Sequence, residues 1–490
     1  MITADSRTRH RGLILGLCAG ILAAGLAFYI AVPRLIRAYA ADALGNEFQT
    51  DVRFQSLDVS GFPRFHITVK GVLIGNDPAH PLIQATEADA QSGWIPWHVR
   101  KLVLEGLSVQ IPAAQMPTRA AVRAIPALSV DEVVAEQASV QISALHFQLV
   151  HLRVKNFDPS HAADFSVSVS NAESRADVEI RGKLGPWDAR DPSLTPIDGT
   201  YAIGRSDLTK LPGLKGILSS QGRFEGVLQR ARIAGNANVS GLGLSLSGSL
   251  ERLHASFEAR LDAADGSASI DSMTGSLQDS RFDAVGSVHN IQDDRLRDVA
   301  LDLSIGQGRI EDVLPLAVKS KTSPIGGAFS MRAKLQIPPG EQDILDRLRL
   351  NGGFTTANAR FSSLDLRDRL REVSRKGEGR PTDDAAGSTI AGIQGQLHLD
   401  HGVARFSNLV FTLEGVSAHL NGTYQLASQR LDLHGEALLD AKLSETATGP
   451  KALLLKVADP FFRRKQGGSR VPVKITGTRS DPRFAVDLVN

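Results

Sequence analysis

The sequence predicts a mainly β protein, with one N-terminal transmembrane helix followed by an elongated, curled antiparallel β-sheet groove and a few short helices. Three observations predict it. Apolar and polar residues alternate with period two along almost the whole chain, turn-forming residues recur between the alternating runs, and helical patterns able to roof a sheet are scarce. The chain accordingly divides into four regions, with 1–33 as a basic tip and membrane anchor, 34–111 as a post-anchor helix with the first strands, 112–340 as a central β-groove, and 341–490 as a C-terminal domain.

The anchor comes first. Gly12 to Val32 carries no charge over 21 residues, enough for a helix to cross a hydrocarbon core of ~30 Å. Arg7, Arg9 and Arg11 precede it, and that basic flank places the N-terminus in the cytoplasm and the bulk of the chain across the membrane. A cleaved signal peptide is the competing reading, with Ala38-Tyr39-Ala40 as its site. The apolar core is long for a signal peptide and the site comes after Pro33, Arg34 and Arg37, so length and flanks favour a retained anchor. Gly12, Gly16, Gly20 and Ala24 recur at four-residue spacing, a stripe that lets two helices approach closely. Gly and Ala are common in membrane helices, and that plainer reading is preferred.

Composition narrows the chemistry of the exported part. A net charge of +2 over 490 residues gives no field that would draw nucleic acid. Cys18 is the only cysteine and lies inside the span, so the exported part has no disulfide, zinc–thiolate site or cysteine nucleophile. The chain is turn-rich, with 45 glycines, and lacks linkers that would divide 490 residues into separate globules, which points to an elongated architecture.

The strands come next. Leu102 and Leu104, then Leu107, Val109 and Ile111, form two runs with Gly106 breaking the register between them. Beyond them lie Phe165-x-Val167-x-Val169, then Leu242, Leu244 and Leu246, then Leu301, Leu303 and Ile305, then Leu409, Phe411 and Leu413. Small or polar residues stand between them, so one face is apolar and the other wet. Gly75-Asn76-Asp77-Pro78, Asp400-His401-Gly402 and Asn421-Gly422 read as turns. At ~15–18 residues per strand and turn the chain holds about 25 strands. A sheet of that size must curl because strands twist, and curled about its apolar face it becomes a gutter lined by aliphatic side chains. The nine residues from Leu242 to Leu413 just named are the candidate floor. For any single one, ordinary core packing is the plainer explanation. Helical patterns are confined to Leu35–Phe48, Gln342–Leu348, Leu364–Val373 and Gly449–Phe462. A membrane barrel is disfavoured, because 4 Tyr and 3 Trp do not furnish two aromatic girdles.

Local chemistry is sparse. His398, Asp400 and His401 suggest a metal, but no third ligand is evident and a solvated hairpin end is preferred. Phosphate-loop, nucleophile-elbow and zinc-protease motifs are absent, so neither catalytic residue nor cofactor is assigned. Phe461, Phe462, Arg463, Arg464 and Lys465 join apolar bulk to a basic cluster, suited either to an anionic membrane surface or partner, or to capping the last sheet edge. Arg375 to Gly387 reads as a polar loop.

Two blocks carry a family resemblance. One runs from Val52-Arg53-Phe54 through Ser60-Gly61-Phe62-Pro63-Arg64-Phe65 to Val69–Asn76. The other includes Leu350–Phe361, Gly392-Ile393-Gln394-Gly395, Gly402–Phe406, Leu420–Tyr424, Leu431-Asp432-Leu433, Asp459-Pro460-Phe461, Val471–Thr478 and Asp481-Pro482-Arg483-Phe484. Together they resemble the N- and C-terminal regions of AsmA-like proteins, over about the first 110 and last 150 residues. The resemblance implies an inner-membrane-anchored periplasmic β-groove of a diderm bacterium, not an enzyme, that moves phospholipid toward the outer membrane. A structural spacer that contacts outer-membrane or other envelope proteins without carrying lipid is the alternative.

Overall fold

The computed structural model describes residues 51–486, apart from 61–65, 93–97, 113–128, 172–175, 291–296, 362–377, 379–390, 443–444, 446–467 and positions 76, 78, 159, 189, 321 and 480. These residues form 25 strands and a few helical turns. No helix among them is long and apolar enough to cross a membrane. The anchor expected at Gly12–Val32, with Gly16 and Gly20, lies outside the described residues, as do Phe461, Phe462, Arg463, Arg464 and Lys465 and the helices expected at 35–48, 364–373 and 449–462. Between Gln342 and Leu348 the expected helix is a single turn, Ile344–Arg347, capped by the Asp343 carboxylate accepting the Leu345 N–H at 2.8 Å.

The chain divides into two compact units, the first formed by 1–170, 178–200 and 224–231 and the second by the remainder. The first holds β1 (Val52–Arg53), β2 (Ser56–Ser60), β3 (His66–Ile74), β4 (Ile83–Ser92), β5 (His98–Glu105), β6 (Ser108–Ile111), β7 (Ser129–Ile142), β8 (Leu145–Phe157) and all but the last residue of β9 (Ala163–Asn171). β1 and β2 share β3 as partner, and β4 pairs with both β5 and β6, so those two are one broken strand. The break is Gly106, at φ +60°, where a Cβ would stand 2.3 Å from the Thr86 hydroxyl. The sheet departs here from antiparallel pairing. β5 and β6 run parallel to β7, with Leu104 opposite Ala135 and Val109 opposite Val140. Parallel neighbours need a crossover of a dozen residues or more, and the separation of Ile111 from Ser129 supplies one.

Alternation decides what this unit buries. Leu57, Ile67, Ala90, Val99, Val130, Val133 and Val154 form one cluster, and Leu107, Ala135, Ala138 and Leu149 a second. The intervening positions carry polar cross-strand pairs, including Thr68 to Asp89 at 2.7 Å and Arg153 to Glu132 at 3.3 Å.

The strands β10 (Ala176–Leu184), β11 (Pro196–Asp207), β12 (Leu214–Val227) and β13 (Arg230–Leu244) contribute residues to both units. The second unit then continues as a meander of β14 (Glu251–Asp262), β15 (Ser267–Leu277), β16 (Ser280–Asn290), β17 (Arg297–Arg309), β18 (Ile325–Ile337), β19 (Arg349–Phe361), β20 (Ala391–Asp400), β21 (Val403–Leu413), β22 (Val416–Gln425), β23 (Arg430–Leu439), β24 (Ser469–Thr478) and β25 (Asp481–Val486). Each pairs antiparallel with the next.

The turn expected at Asp400-His401-Gly402 joins β20 to β21, with His401 at φ 47° and Gly402 at φ 68°, the left-handed pair that a two-residue hairpin requires. The turn expected at Asn421-Gly422 is a correction. Both residues lie inside β22, and the hairpin before it turns at Glu414-Gly415 instead. Asn421 serves the neighbouring strand, its side-chain oxygen accepting the Asn408 N–H at 3.0 Å. Asn408, at φ 50°, marks a bulge where the β21–β22 register shifts between Phe406 and Leu409.

Candidate functional site

Register carries the apolar face of the second unit from strand to strand. Leu303 stands between Ala284 and Ala333, Ala333 opposite Gly352, Gly352 opposite Leu397, and Leu397 opposite Phe406. The adjacent row runs from Ile305 through Met331 and Phe354 to Gly395. Because Gly395 has no side chain, Phe354 and Phe406 meet edge to face across β20, with ring centroids 6.2 Å apart. Farther on, Leu409 faces Leu420, Leu420 faces Gly435, and Gly435 faces Val473. Directly opposed residues share a face, so side chains from β16 through β24 form one apolar surface.

Of the nine floor residues read from sequence, six lie on this surface. Leu301 pairs with Leu335, Leu303 and Ile305 hold the rows just described, and Leu409, Phe411 and Leu413 lie on β21. Ile305 and Leu413 are buried, while Leu301, Leu303, Leu409 and Phe411 are half-buried. Leu242, Leu244 and Leu246 fare differently. Leu242 and Leu244 lie on β13, but Leu246 falls in the turn after it. That turn forms because the Ser247 hydroxyl accepts the Leu244 N–H at 2.7 Å and the Ser247 N–H reaches the Leu244 carbonyl at 3.0 Å. Leu244 and Leu246 pack onto the same surface from outside its strands, in the cluster of Leu399 and Ala404 that also holds Leu335, Leu397 and Phe406.

Part of the surface is covered by the protein's own chain. Between β17 and β18 the backbone makes a helical turn, Ile310–Val313, then a tighter one, Leu314–Leu316. Ile310, Val313 and Leu314 pack against Ala255, Phe282, Ile305, Phe329 and Met331. Beyond them Ala317 joins the cluster of Leu345, Leu399 and Leu426, and Val318 is 3% exposed. Polar bonds hold this strap at its edges. The Ser280 hydroxyl donates to Asp312 at 2.7 Å and accepts the Arg309 N–H at 2.8 Å, while Glu311 accepts the Gly327 N–H at 2.9 Å. Ser247 donates to the Leu316 carbonyl at 3.1 Å, the Gly248 N–H reaches the Val318 carbonyl at 3.0 Å, and the Lys319 ammonium the Ala427 carbonyl at 3.4 Å.

Electrostatics reflect these contacts. Burial pushes the Asp312 carboxyl above its usual range, with Ser280 and Arg309 opposing that shift and Asp279 adding to it. Burial acts in the same sense on Glu311, but the Gly327 N–H and Arg309 outweigh it and its carboxyl lies below the ordinary value. Two buried hydroxyls on the apolar side, Thr356 Oγ1 and the Tyr424 phenol, have no hydrogen-bond partner, and burial raises the Tyr424 pKa.

The opposite face carries two open depressions of about 680 Å³ and 780 Å³. Ser330, Thr355, Gln394 and Gln396 line the first, Asp283, Asp302 and Lys334 the second, and Arg332 both. Lys334 pairs with Asp302 at 2.8 Å in an exposed ion pair, and Val285 stands 46% exposed in the same depression. Asp400 accepts from Arg349 Nε at 3.2 Å, a cross-strand ion pair.

Sequence reasoning missed the strap. The signal was present, since Val313 to Val318 is an apolar run with no polar position between its large side chains and includes Pro315, between two strands that alternate apolar with polar residues. No family model matches this chain, and neither a curated protein nor a solved structure matches it.

Proposed function

We propose that this chain is a membrane-anchored, lipid-binding β-sheet protein of the AsmA-like kind. In this reading Gly12–Val32 holds it in a bacterial inner membrane, the sheet stands in the periplasm, and phospholipid moves along the apolar face toward the outer membrane. The observation that carries the reading is the apolar surface running in register from β16 to β24. An acyl chain laid on such a surface gains about 0.8 kcal/mol for each methylene removed from water, while its headgroup stays solvated at the margin. Transfer along it requires no covalent chemistry, and no catalytic group or cofactor is part of the proposal.

The spacer reading has one observation in its favour. The strap and the clusters around Phe329 and Leu399 fill part of the apolar face with the protein's own side chains. In-cell photocrosslinking separates the two. A photoreactive leucine analogue at Leu303 or Leu409 is expected to capture phospholipid, whereas a photoreactive residue at exposed Asp302 is not. Protein adducts alone at all three positions would replace the lipid reading with the spacer.

A further inference from the structure

We infer that the segment Ile310–Ser320 holds the place of an acyl chain, so that the floor beneath it, made by Phe282, Ile305, Phe329 and Met331, is a lipid site the protein plugs with itself. The inference rests on the lipid-binding reading above and deepens it by locating one site and its competitor.

The strap is not needed to join the strands it connects. β17 and β18 are already paired from Val299–Ile337 to Arg309–Ala328, so residues 310–324 are a detour at the end of a hairpin that a few residues would close. Connections of this length inside a compact sheet are uncommon unless they serve a function. The detour is also internally weak. Its helical turns of four and three residues are too short to persist without the surface they lie on.

Two kinds of contact hold it in place. Ile310, Val313, Leu314 and Ala317 supply apolar contact of the sort that methylenes supply. Ser280–Asp312, Gly327–Glu311 and Gly248–Val318 supply polar ties. An acyl chain would replace the first kind nearly in kind, and water would replace the second once the strap lifts. Exchange then turns on the small difference between two comparable burials, which is the condition under which a ligand shifts a population. The strap returns into β18 at a bulge, where Gly327 stands at φ +149° and the β18–β19 register shifts between Gly326 and Ala328.

The test uses the full-length chain in detergent. Amide hydrogen exchange of 310–320 is followed with and without mixed micelles of phosphatidylethanolamine and phosphatidylglycerol, and a diazirine methionine analogue at Met331 reports what touches the floor. With lipid, exchange within 310–320 is expected to rise while β17 and β18 stay protected, and Met331 is expected to change from strap adducts to lipid adducts. Ser280→Ala, which removes both the bond to Asp312 and the acceptor of the Arg309 N–H, should raise the lipid adduct at Met331 by about tenfold or more. Asp312→Ala, which removes the acceptor of the Ser280 hydroxyl, should move it in the same direction. Should lipid attach at Leu409 while 310–320 stays protected and Met331 captures only the strap, the plug is a permanent core element and the inference fails, though the lipid reading stands. Absence of lipid at Leu409 and Met331 alike, in every variant, removes both.

Discussion

The two units bury their apolar faces with different residues. In the first, Ala85, Ala88, Ala90, Ala135 and Ala138 stand among valines and leucines, and Ala135 and Ala138 are 0% exposed. In the second, the corresponding surface carries Phe282, Ile305, Phe329 and Met331, and a length of chain is spent on covering it. In the first unit, too, polar positions stand between the buried ones, Asp131 and Glu136 on β7 being exposed, and its small buried residues let the strands lie against a close-fitting layer. Antiparallel strands in the second can leave one face wet, so their large apolar side chains gather on one side, where something must meet them. The contrast shows how one period-two pattern yields two kinds of interior.

The largest test of that contrast is Phe329→Ala. Phe329 is 7% exposed and lies under the strap, so truncation should cost about 3–5 kcal/mol through lost burial and the cavity left behind. Urea denaturation followed by amide exchange should show the loss in β17–β19, with β7 and β8 still protected. Equal loss of protection in both units would mean that the two interiors fold as one, and the comparison would collapse.

Gly106→Val addresses the first unit. A side chain there must adopt φ +60° and would meet the Thr86 hydroxyl, a strain of about 1–3 kcal/mol. The broken strand β5–β6 should lose exchange protection together with β7, its parallel partner, while β20–β22 keep theirs. If thermal unfolding is unchanged, the break between β5 and β6 is a free bend and not a device that holds the crossover in register.

Much of this fold was legible in the residues. Alternation located β9, β17 and β21, Gly106 located the break in the first unit, and the pair His401-Gly402 located a hairpin, because each of these is a local property of the backbone or of one strand's two faces. The features that escaped were non-local. Nothing in Leu104 or Val109 says that the next strand returns parallel. Asn421-Gly422 has turn chemistry but lies in mid-strand, since the bulge at Asn408 on the neighbouring strand uses the Asn421 side chain. Leu246 continues an alternating run whose strand has already ended, because Ser247 closes a turn and ties it to Leu316. Residues read as sharing one face do share it on β17 and β21, where register alone decides a face, whereas Leu246 leaves its strand where a tertiary contact redirects the chain.

The smallest test sets two threonines against each other. Thr195 in the first unit and Thr356 in the second are both 0% exposed. The Thr195 hydroxyl accepts the Asp188 N–H at 3.1 Å, whereas the Thr356 hydroxyl, on a strand between Phe329 and Ile393, has no partner. Valine matches threonine in shape and lacks only the hydroxyl. At position 195 the substitution leaves a backbone donor without its acceptor and should cost about 1–2 kcal/mol. At position 356 it removes an unpaired polar group from an apolar surface and should stabilise by about 1 kcal/mol. Thr356→Ser, which keeps the hydroxyl and deletes the methyl, should lower stability, so the sign of the valine effect reports the hydroxyl and not the packing. Thermal melts of the three variants decide it. Opposite signs at 195 and 356 sharpen the distinction between a buried hydroxyl that fastens a loop of the first unit and one that stands uncommitted on the apolar face of the second. The same sign at both positions would mean that the Thr356 hydroxyl is engaged after all, and that the apolar face is as closed as the alanine-lined one.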